Sequence, residues 1–375
     1  MAESLINNSD SGLEKKIVRS TTDNYNNGII DTRRINAILY PLEKFLWMGW
    51  YFWGGMKNTS KNHLEIPDST GQLIRDHYKY KDIAIMFVPL HKDFEETIFF
   101  PEYIYEVLGG DITRVIMNTE KVTKPALKFI LTSSGVYSFN TTSRDAGVQA
   151  MQITRRVLTN NGLYTYFGEG KRSRDGNVGP FGIAGFHAAL QAAEKTKAVY
   201  IVPVDMTCQH VDDIINGKKQ SYGVREVLGA FKVNYGNKYI SFGEPIKVVP
   251  IDKRGLTDTE IEKAYRVRRA ELAKQTRDAC LDLKVILNEH IHAKALVNLN
   301  SHNNHGITLY EELDSVREVV KELLPLKDKF RGVNINNPTN IISNSVLNRF
   351  QAINKDGLYI HGAYANNLNS FYNRD

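Results

Sequence analysis

Residues 164–176 read Y-T-Y-F-G-E-G-K-R-S-R-D-G and join the end of an apolar strand to a glycine turn. Within it the carboxylate of Glu169 stands between two glycines, Gly168 and Gly170. Three cations follow this carboxylate: Lys171, Arg172 and Arg174. Glycine accepts a positive φ without steric cost, and arginine forks match the paired oxygens of a phosphate. The stretch predicts an anion-binding turn at a strand end, with a solvated basic turn as the alternative.

A second stretch, residues 87–96, has the same layout and reads F-V-P-L-H-K-D-F-E-E. It overlaps an apolar run, residues 83–90, that is typical of a buried strand. His91 follows this run, and a cluster of acids comes next: Asp93, Glu95 and Glu96. In open α/β sheets, ligands bind beyond the carboxyl ends of the strands. Two strands that both end in charged loops therefore indicate one shared site.

Strands and helices alternate through the middle of the chain. The predicted strands are residues 83–90, 112–117, 135–139, 163–167, 199–204 and 238–242. The predicted helices between them are residues 94–107, 124–132, 145–158 and 182–195. This alternation predicts an α/β fold, in which a mixed, mostly parallel sheet is flanked by helices.

Together the two charged stretches resemble the glycerolipid acyltransferase superfamily, whose members acylate glycerol phosphates. Members carry H-x-x-x-x-D after a strand, and later F-x-E-G-x-R-S-R or E-G-T-R-S. The second pattern is intact here: Phe167, Glu169, Gly170, Arg172, Ser173 and Arg174. The first is altered, because Glu96 stands five residues after His91 where the family has aspartate. Two later blocks, residues 198–204 and 240–246, also resemble family segments, so the resemblance covers residues 83–246.

The resemblance implies base catalysis by a histidine held by an acid. His91 is the implied general base, and imidazole titrates near neutral pH, which suits it to deprotonate an alcohol. Glu96 is the implied partner that orients the ring, while Asp93 and Glu95 are competing partners. The cluster of acids around His91 could suggest a metal ion, but no H-x-H or H-E-x-x-H pattern lies nearby, so no metal is expected. No cofactor is expected either, since acyl-coenzyme A or acyl carrier protein is a co-substrate of the implied reaction.

The resemblance also implies an acceptor-phosphate site. Arg172 and Arg174 are expected to hold the phosphate, with Lys171 as a third candidate beside Ser173 and Gly170 of the same motif.

Two further positions carry open alternatives. Glu169 either accepts hydrogen bonds from the acceptor's hydroxyls or braces the turn. In the family's second block an arginine helps to bind phosphate, but Thr141 stands at about that place here. Arg144 could substitute for it, and a surface arginine at a helix start is the alternative.

The implied reaction transfers a fatty acyl group from acyl-coenzyme A or acyl carrier protein to glycerol 3-phosphate. The second arginine of E-G-K-R-S-R favours glycerol 3-phosphate or dihydroxyacetone phosphate over lysophosphatidate as the acceptor. The substitutions at Glu96 and Thr141 leave an alternative, namely a non-catalytic lipid-phosphate-binding or scaffold protein of the same fold. The net charge of +6 favours anionic partners, and no recognition module for nucleic acid is evident.

The N-terminal part of the chain predicts contact with a membrane. Residues 1–28 are polar and predict a flexible tail, and residues 29–80 predict a helical, membrane-interfacial segment. Within it, residues 45–56 are apolar and contain all three tryptophans, yet they are too few to span a bilayer. We expect an interfacial helix and a peripheral location on the cytoplasmic face of a membrane, with a buried helix as the alternative. The two cysteines suggest a reducing compartment.

Residues 81–250 predict the catalytic α/β domain, and residues 251–375 predict a helical appendage. The appendage is predicted to contain one long helix at residues 257–287 and another at residues 309–324, stopped by Pro325. His290 and His292 fall in a polar segment where a solvated role is expected.

Overall fold

The computed structural model describes residues 62–90, 114–118, 136–139, 146–170, 177–208, 237–300 and 308–345, together with Ala365 and Leu368. These residues are organised around one sheet of eight strands. The strands are β1 Asn62–Glu65, β2 Ile83–Pro89, β3 Arg114–Asn118, β4 Val136–Phe139, β5 Leu163–Thr165, β6 Ala198–Cys208, β7 Lys238–Phe242 and β8 Ile246–Val248.

The strand order confirms the predicted mixed, mostly parallel sheet. The strands lie in the order β1-β7-β6-β2-β5-β3-β4, and β8 pairs separately with β6. The five strands from β6 to β4 run parallel to one another. At the other edge, β7 and β8 run antiparallel to β6, and β1 runs parallel to β7. The two motif-bearing strands, β2 and β5, are neighbours in the parallel part.

The centre of the sheet is a buried apolar strand, β2. Every residue of Ile83–Pro89 is buried, as expected for a strand covered by helices on both faces. Helix α1, Asp68–Tyr80, packs one side of the sheet, where its Leu73 and Ile74 join a core with Ile85 and Phe87. The burial of both faces explains why this stretch reads as a continuous apolar run.

Three helices share a second core with the other face of the sheet. They are α2 Ala146–Thr159, α3 Ala184–Ala193 and α4 Asp258–Leu283. Phe186 of α3 and Leu272 of α4 are fully buried in this core with Met86 and Val88 of β2. Helix α4 begins with a capping box, in which Thr257 and Glu260 satisfy each other's backbone N–H groups. The sheet therefore carries helices on both faces.

The C-terminal residues form further helices with a core of their own. They are α5 Asn288–Asn300, α6 Leu309–Leu323, a 3-10 helix Leu324–Lys329 and α7 Pro338–Asn344. Ile291, Val316, Val319 and Ile341 belong to this core. The predicted helical character of the C-terminal part is confirmed.

The helix predicted at 309–324 is confirmed, because α6 ends at Leu323, just before Pro325, and the chain continues as a 3-10 helix whose first turn accepts a proline. The helix predicted at 257–287 ends earlier, at Leu283, because the chain then extends and Ile286 bridges to Phe330. His290 and His292, for which a solvated or incidental role was expected, lie on α5 and are buried, so they are not solvated.

Several predicted segments lie outside the described residues: the tail, most of residues 29–80, and the helices at 94–107 and 124–132. Residues 62–80, grouped above with the N-terminal segment, supply β1 and α1 to the sheet. The domain boundaries stay predictions. None of the described helices combines the length and the apolar character that crossing a membrane requires.

Candidate active site

The two motif-bearing strands end side by side. In the parallel pair of β2 and β5, Phe87 lies opposite Thr165, and the Tyr166 N–H donates to the Phe87 carbonyl at 2.8 Å. β2 leads directly towards His91, and β5 leads directly towards Glu169. The chain therefore leaves both strands at the same edge of the sheet, the one formed by the carboxyl ends of the parallel strands, as a shared site requires.

β6 pairs with β2 on the side opposite β5 and holds the last residues of β2 in place. Pro89 lies opposite Val204, and the Leu90 N–H donates to the Val204 carbonyl at 3.2 Å. Leu90 is fully buried, so the backbone is held up to the residue before His91.

Most of the predicted site residues lie outside the described residues. These are His91, Glu96, Arg144, Lys171, Arg172, Ser173 and Arg174. Their roles stay predictions. The structure describes the strands that lead to them, the start of α2 directly after the segment containing Arg144, and two members of the motif itself, Glu169 and Gly170.

The turn at Glu169 is tight and internally bonded. The Gly170 N–H donates to the Phe167 carbonyl at 3.0 Å, and Gly170 has a φ of 66°, the left-handed region that favours glycine. The Glu169 carboxylate accepts a hydrogen bond from the Gly179 N–H, at 2.9 Å from Oε1. Glu169 therefore ties the turn to the segment that returns after the cationic residues. Contact of Glu169 with an acceptor stays a prediction.

Close packing holds the returning segment against the turn. The Gly182 N–H donates to the Gly168 carbonyl at 2.7 Å, and the Tyr166 hydroxyl donates to the Gly182 carbonyl at 3.0 Å. Burial raises the pKa of the Tyr166 phenol, so it remains protonated and able to donate at neutral pH. A Cβ added to Gly168 would lie 2.6 Å from the ring of Phe181. Gly168 is thus required by contact, whereas the motif glycine Gly170 is favoured by its backbone angle.

Helix α4 supplies contacts that the sequence analysis did not identify. Arg277 donates from Nε to the Gly179 carbonyl at 3.1 Å and from Nη2 to the Val178 carbonyl at 3.2 Å. The Cys280 thiol lies 3.2 Å from the Val88 carbonyl of β2. The sequence gives one sign of these contacts: the cation Arg277 stands between Thr276 and Cys280, two residues on the buried face of α4.

The described residues bring the ends of β2 and β5 together at one edge of the sheet. Hydrogen bonds hold both ends, and the turn after β5 is closed on itself by Glu169 and by Gly168. Within the described ranges, no group of three histidine, cysteine, aspartate or glutamate side chains could hold a metal ion. The absence of a cofactor stays a prediction.

Comparison with known proteins places the region in a family. Residues 74–207 match the sequence model of a protein family described as Acyltransferase, and the match runs from α1 through β6. No curated protein matches the sequence. One similar solved structure is the 1-acyl-sn-glycerophosphate (LPA) acyltransferase PlsC from Thermotoga maritima, with 16% identity and a TM-score of 0.36. That similarity covers 66% of this chain and 83% of the other. The family match confirms the resemblance predicted from the motifs.

Proposed function

Because residues 74–207 match the Acyltransferase family model, we propose that this chain belongs to the glycerolipid acyltransferase superfamily and transfers a fatty acyl group from a thioester to glycerol 3-phosphate. The observation that carries this proposal is the parallel pairing of β2 with β5, in which Phe87 lies opposite Thr165. This pairing directs the histidine motif and the arginine motif to one edge of the sheet.

The proposed chemistry needs a base and a positioned alcohol. His91 takes the proton of the acceptor hydroxyl while the hydroxyl oxygen attacks the thioester carbonyl. A C–O ester bond forms, the C–S bond breaks, and the proton passes from the imidazolium to the departing thiolate. Glu96 accepts a hydrogen bond from the imidazole and stabilises its charged form, as carboxylates do in hydrolase triads.

Cations of the turn after β5 bind the acceptor's phosphate in this proposal. Arg172 and Arg174 offer fork-shaped donors to the phosphate oxygens, with Lys171 as a point charge beside them. Arg144 is the fourth candidate, because α2 begins at Ala146 and free N–H groups at a helix start favour an anion. The bonds from Gly179 to Glu169 and from Gly182 to Gly168 support this assignment, because they hold the turn on which these cations lie.

Attachment to a membrane surface is part of the proposal. Asn62 begins β1 opposite Lys238, and Lys238 lies opposite Cys208 at the carboxyl end of β6. The chain thus enters β1 at the sheet edge where β2 and β5 end. Only five residues, 57–61, separate the apolar residues 45–56 from β1, so the chain length keeps the last residue of that apolar stretch within about 20 Å of this edge. Peripheral attachment on the cytoplasmic face would then bring the site close to its lipid substrates.

A co-sedimentation assay with anionic liposomes tests this attachment. Removal of residues 1–56 should release the protein into the supernatant, while the full chain pellets with the liposomes. Equal sedimentation of the two proteins would contradict the attachment.

The direct test of the reaction is thiol release from a fatty acyl donor. Palmitoyl-coenzyme A and palmitoyl-acyl carrier protein are each mixed with the full chain and one acceptor: glycerol 3-phosphate, dihydroxyacetone phosphate or lysophosphatidate. We expect acceptor-dependent release that is fastest with glycerol 3-phosphate. Faster release with another acceptor would show that the proposed acceptor is wrong, while the proposed acyl-transfer reaction would stand.

A protein that releases no thiol with any pairing would overturn the proposed reaction. The second candidate function, a lipid-phosphate-binding protein, would then be favoured by Glu96 and Thr141, which differ from the family's residues. Calorimetry with glycerol 3-phosphate would test it, because that function requires binding without turnover.

A further inference from the structure

Arg277 lies on α4, outside the sequence stretches that carry the acyltransferase motifs, and its guanidinium reaches the segment after the cationic turn. We infer that Arg277 is a positioning residue for the phosphate-binding turn, an inference that rests on the proposed function. It does not touch the acceptor in this account. It acts by holding the backbone that Glu169 also binds.

The contacts form a continuous path from α4 to the motif. Arg277 donates from two nitrogens to two successive carbonyls, those of Val178 and Gly179, at 3.2 and 3.1 Å. The N–H of the same Gly179 donates to Glu169 at 2.9 Å. Gly179 is therefore held through its carbonyl by the helix and through its N–H by the motif glutamate. The segment that carries Lys171, Arg172 and Arg174 is thus anchored at both of its ends.

The chemistry of this position favours arginine over lysine. A guanidinium presents several donors in a fixed plane and bonds two neighbouring oxygens at once, whereas an ammonium is a single point charge on a flexible stem. The side chain of Arg277 is 31% exposed, so it is partly shielded from water. Among the described residues, its carboxylate contact is with Asp278 at 3.5 Å, which is longer than its contacts with the two carbonyls.

The same helix also touches the histidine-bearing strand. Cys280 stands one helical turn after Arg277 and is fully buried, with its thiol 3.2 Å from the Val88 carbonyl. Helix α4 thus contacts the end of β2 and the segment that follows the cationic turn through residues three positions apart. Such a shared support fixes two parts of a site relative to each other, which catalysis by positioning requires.

Steady-state kinetics of Arg277→Lys test the inference, with Arg266→Lys as the matched control. Arg266 lies on the same helix, is exposed and pairs with Glu262, so its substitution should leave the kinetics unchanged. For Arg277→Lys we expect the acceptor KM to rise about tenfold, the effect of losing a hydrogen bond from a charged donor. The values of kcat and of the donor KM should stay within about twofold. An unchanged acceptor KM in an active enzyme would overturn the inference.

Limited trypsin digestion tests the same inference without any activity. Trypsin cleaves after lysine and arginine, so Lys171, Arg172 and Arg174 are potential sites, and exposed loops are cut most readily. Cleavage at these residues, mapped by mass spectrometry, should be several-fold faster in Arg277→Lys than in the wild type or Arg266→Lys. Equal cleavage rates would overturn the inference even if the protein proved not to be an enzyme, whereas failure of thiol release alone would overturn only the proposed function.

Discussion

At Gly168 a side chain would collide with an aromatic ring. An added Cβ would approach the Phe181 ring to 2.6 Å, and that ring is stacked on Phe186 with 6.4 Å between the centroids. We predict that Gly168→Ala lowers the free energy of unfolding by about 1–3 kcal/mol, because the ring must move within a packed core. Urea unfolding followed by circular dichroism measures this change.

The matched control for this prediction is Gly71→Ala on α1. There an added Cβ meets only the flexible tip of Arg75, at 3.4 Å, and alanine favours a helix over glycine by about 1 kcal/mol. The control should be neutral or more stable than the wild type. A Gly168→Ala variant as stable as the Gly71→Ala variant would contradict the packing argument.

Individual site residues were predictable where their chemistry is local. The glycine turn around Glu169 follows from the sequence alone, and the positive φ of Gly170 confirms it. Arg277 was not predictable, because the partner that explains it lies 98 residues earlier in the chain. The role of Arg277 on its partly buried helix face can be recognised only when the backbone carbonyls that it contacts are known.

Helices α5 and α6 are joined by a buried polar contact. His292 is 1% exposed, and its Nε2 lies 2.5 Å from an oxygen of Glu312. We predict that Glu312→Ala lowers the free energy of unfolding by about 1–3 kcal/mol, since a buried polar group then loses its partner. Urea unfolding of the full chain measures this loss.

Asp314→Ala is the control on the same helix. Asp314 also pairs at 2.5 Å, with Arg317, but both side chains are exposed, and such surface pairs contribute about 0–1 kcal/mol. The two variants should therefore differ clearly in stability. Equal losses would show that the His292 contact owes nothing to its burial.

Strands that form buried apolar runs were predicted well, and two short strands at the side of the sheet were missed. The strand Lys238–Phe242 matches its prediction, and β2 ends within one residue of its predicted end, because buried strands leave continuous apolar runs. β1 and β8 were missed, since strands of four and three residues are defined by their pairing with β7 and β6 rather than by a pattern. The end of helix α4 at Leu283 was missed for a similar reason, because the chain that follows pairs with a distant residue, Ile286 with Phe330.

The C-terminal part of the molecule is joined to the edge of the sheet by an ion pair. Arg331 donates from Nε and Nη2 to the carboxylate of Glu65 on β1, at 2.9 and 3.1 Å. These hydrogen bonds lower the pKa of Glu65 below its ordinary value of 4.5. The stability from this pair is therefore complete above pH 4.5 and is lost as the pH falls through the lower, folded-state pKa.

We predict that Glu65→Gln destabilises the protein at pH 7 and that its difference from the wild type shrinks as the pH falls below 4.5. Urea unfolding at pH 7 and at about pH 3.5 measures both differences. In an Arg331→Gln background the difference should lose most of its pH dependence, since Arg331 is the main cause of the lowered pKa. A difference that stays constant with pH in the protein that retains Arg331 would contradict the assignment.

At the scale of the whole molecule, the fold class was predictable but the strand order was not. Alternation of strands and helices predicts a mostly parallel sheet, yet it does not say that β1 and β7 complete the edge beside β6. The two charged strand ends predicted one shared site, and the direct pairing of β2 with β5, which the sequence did not predict, is compatible with it.

The central claim is that the ends of β2 and β5 form one acyl-transfer site. Two measurements on wild type and His91→Ala, taken together, test it most directly: acceptor-dependent thiol release and the Kd for glycerol 3-phosphate. We predict that release falls by about 100-fold or more while the Kd changes by less than about twofold, because the base and the phosphate site are separate parts. Equal release rates in the two proteins would contradict the claim, as would a Kd that rises in step with the lost rate.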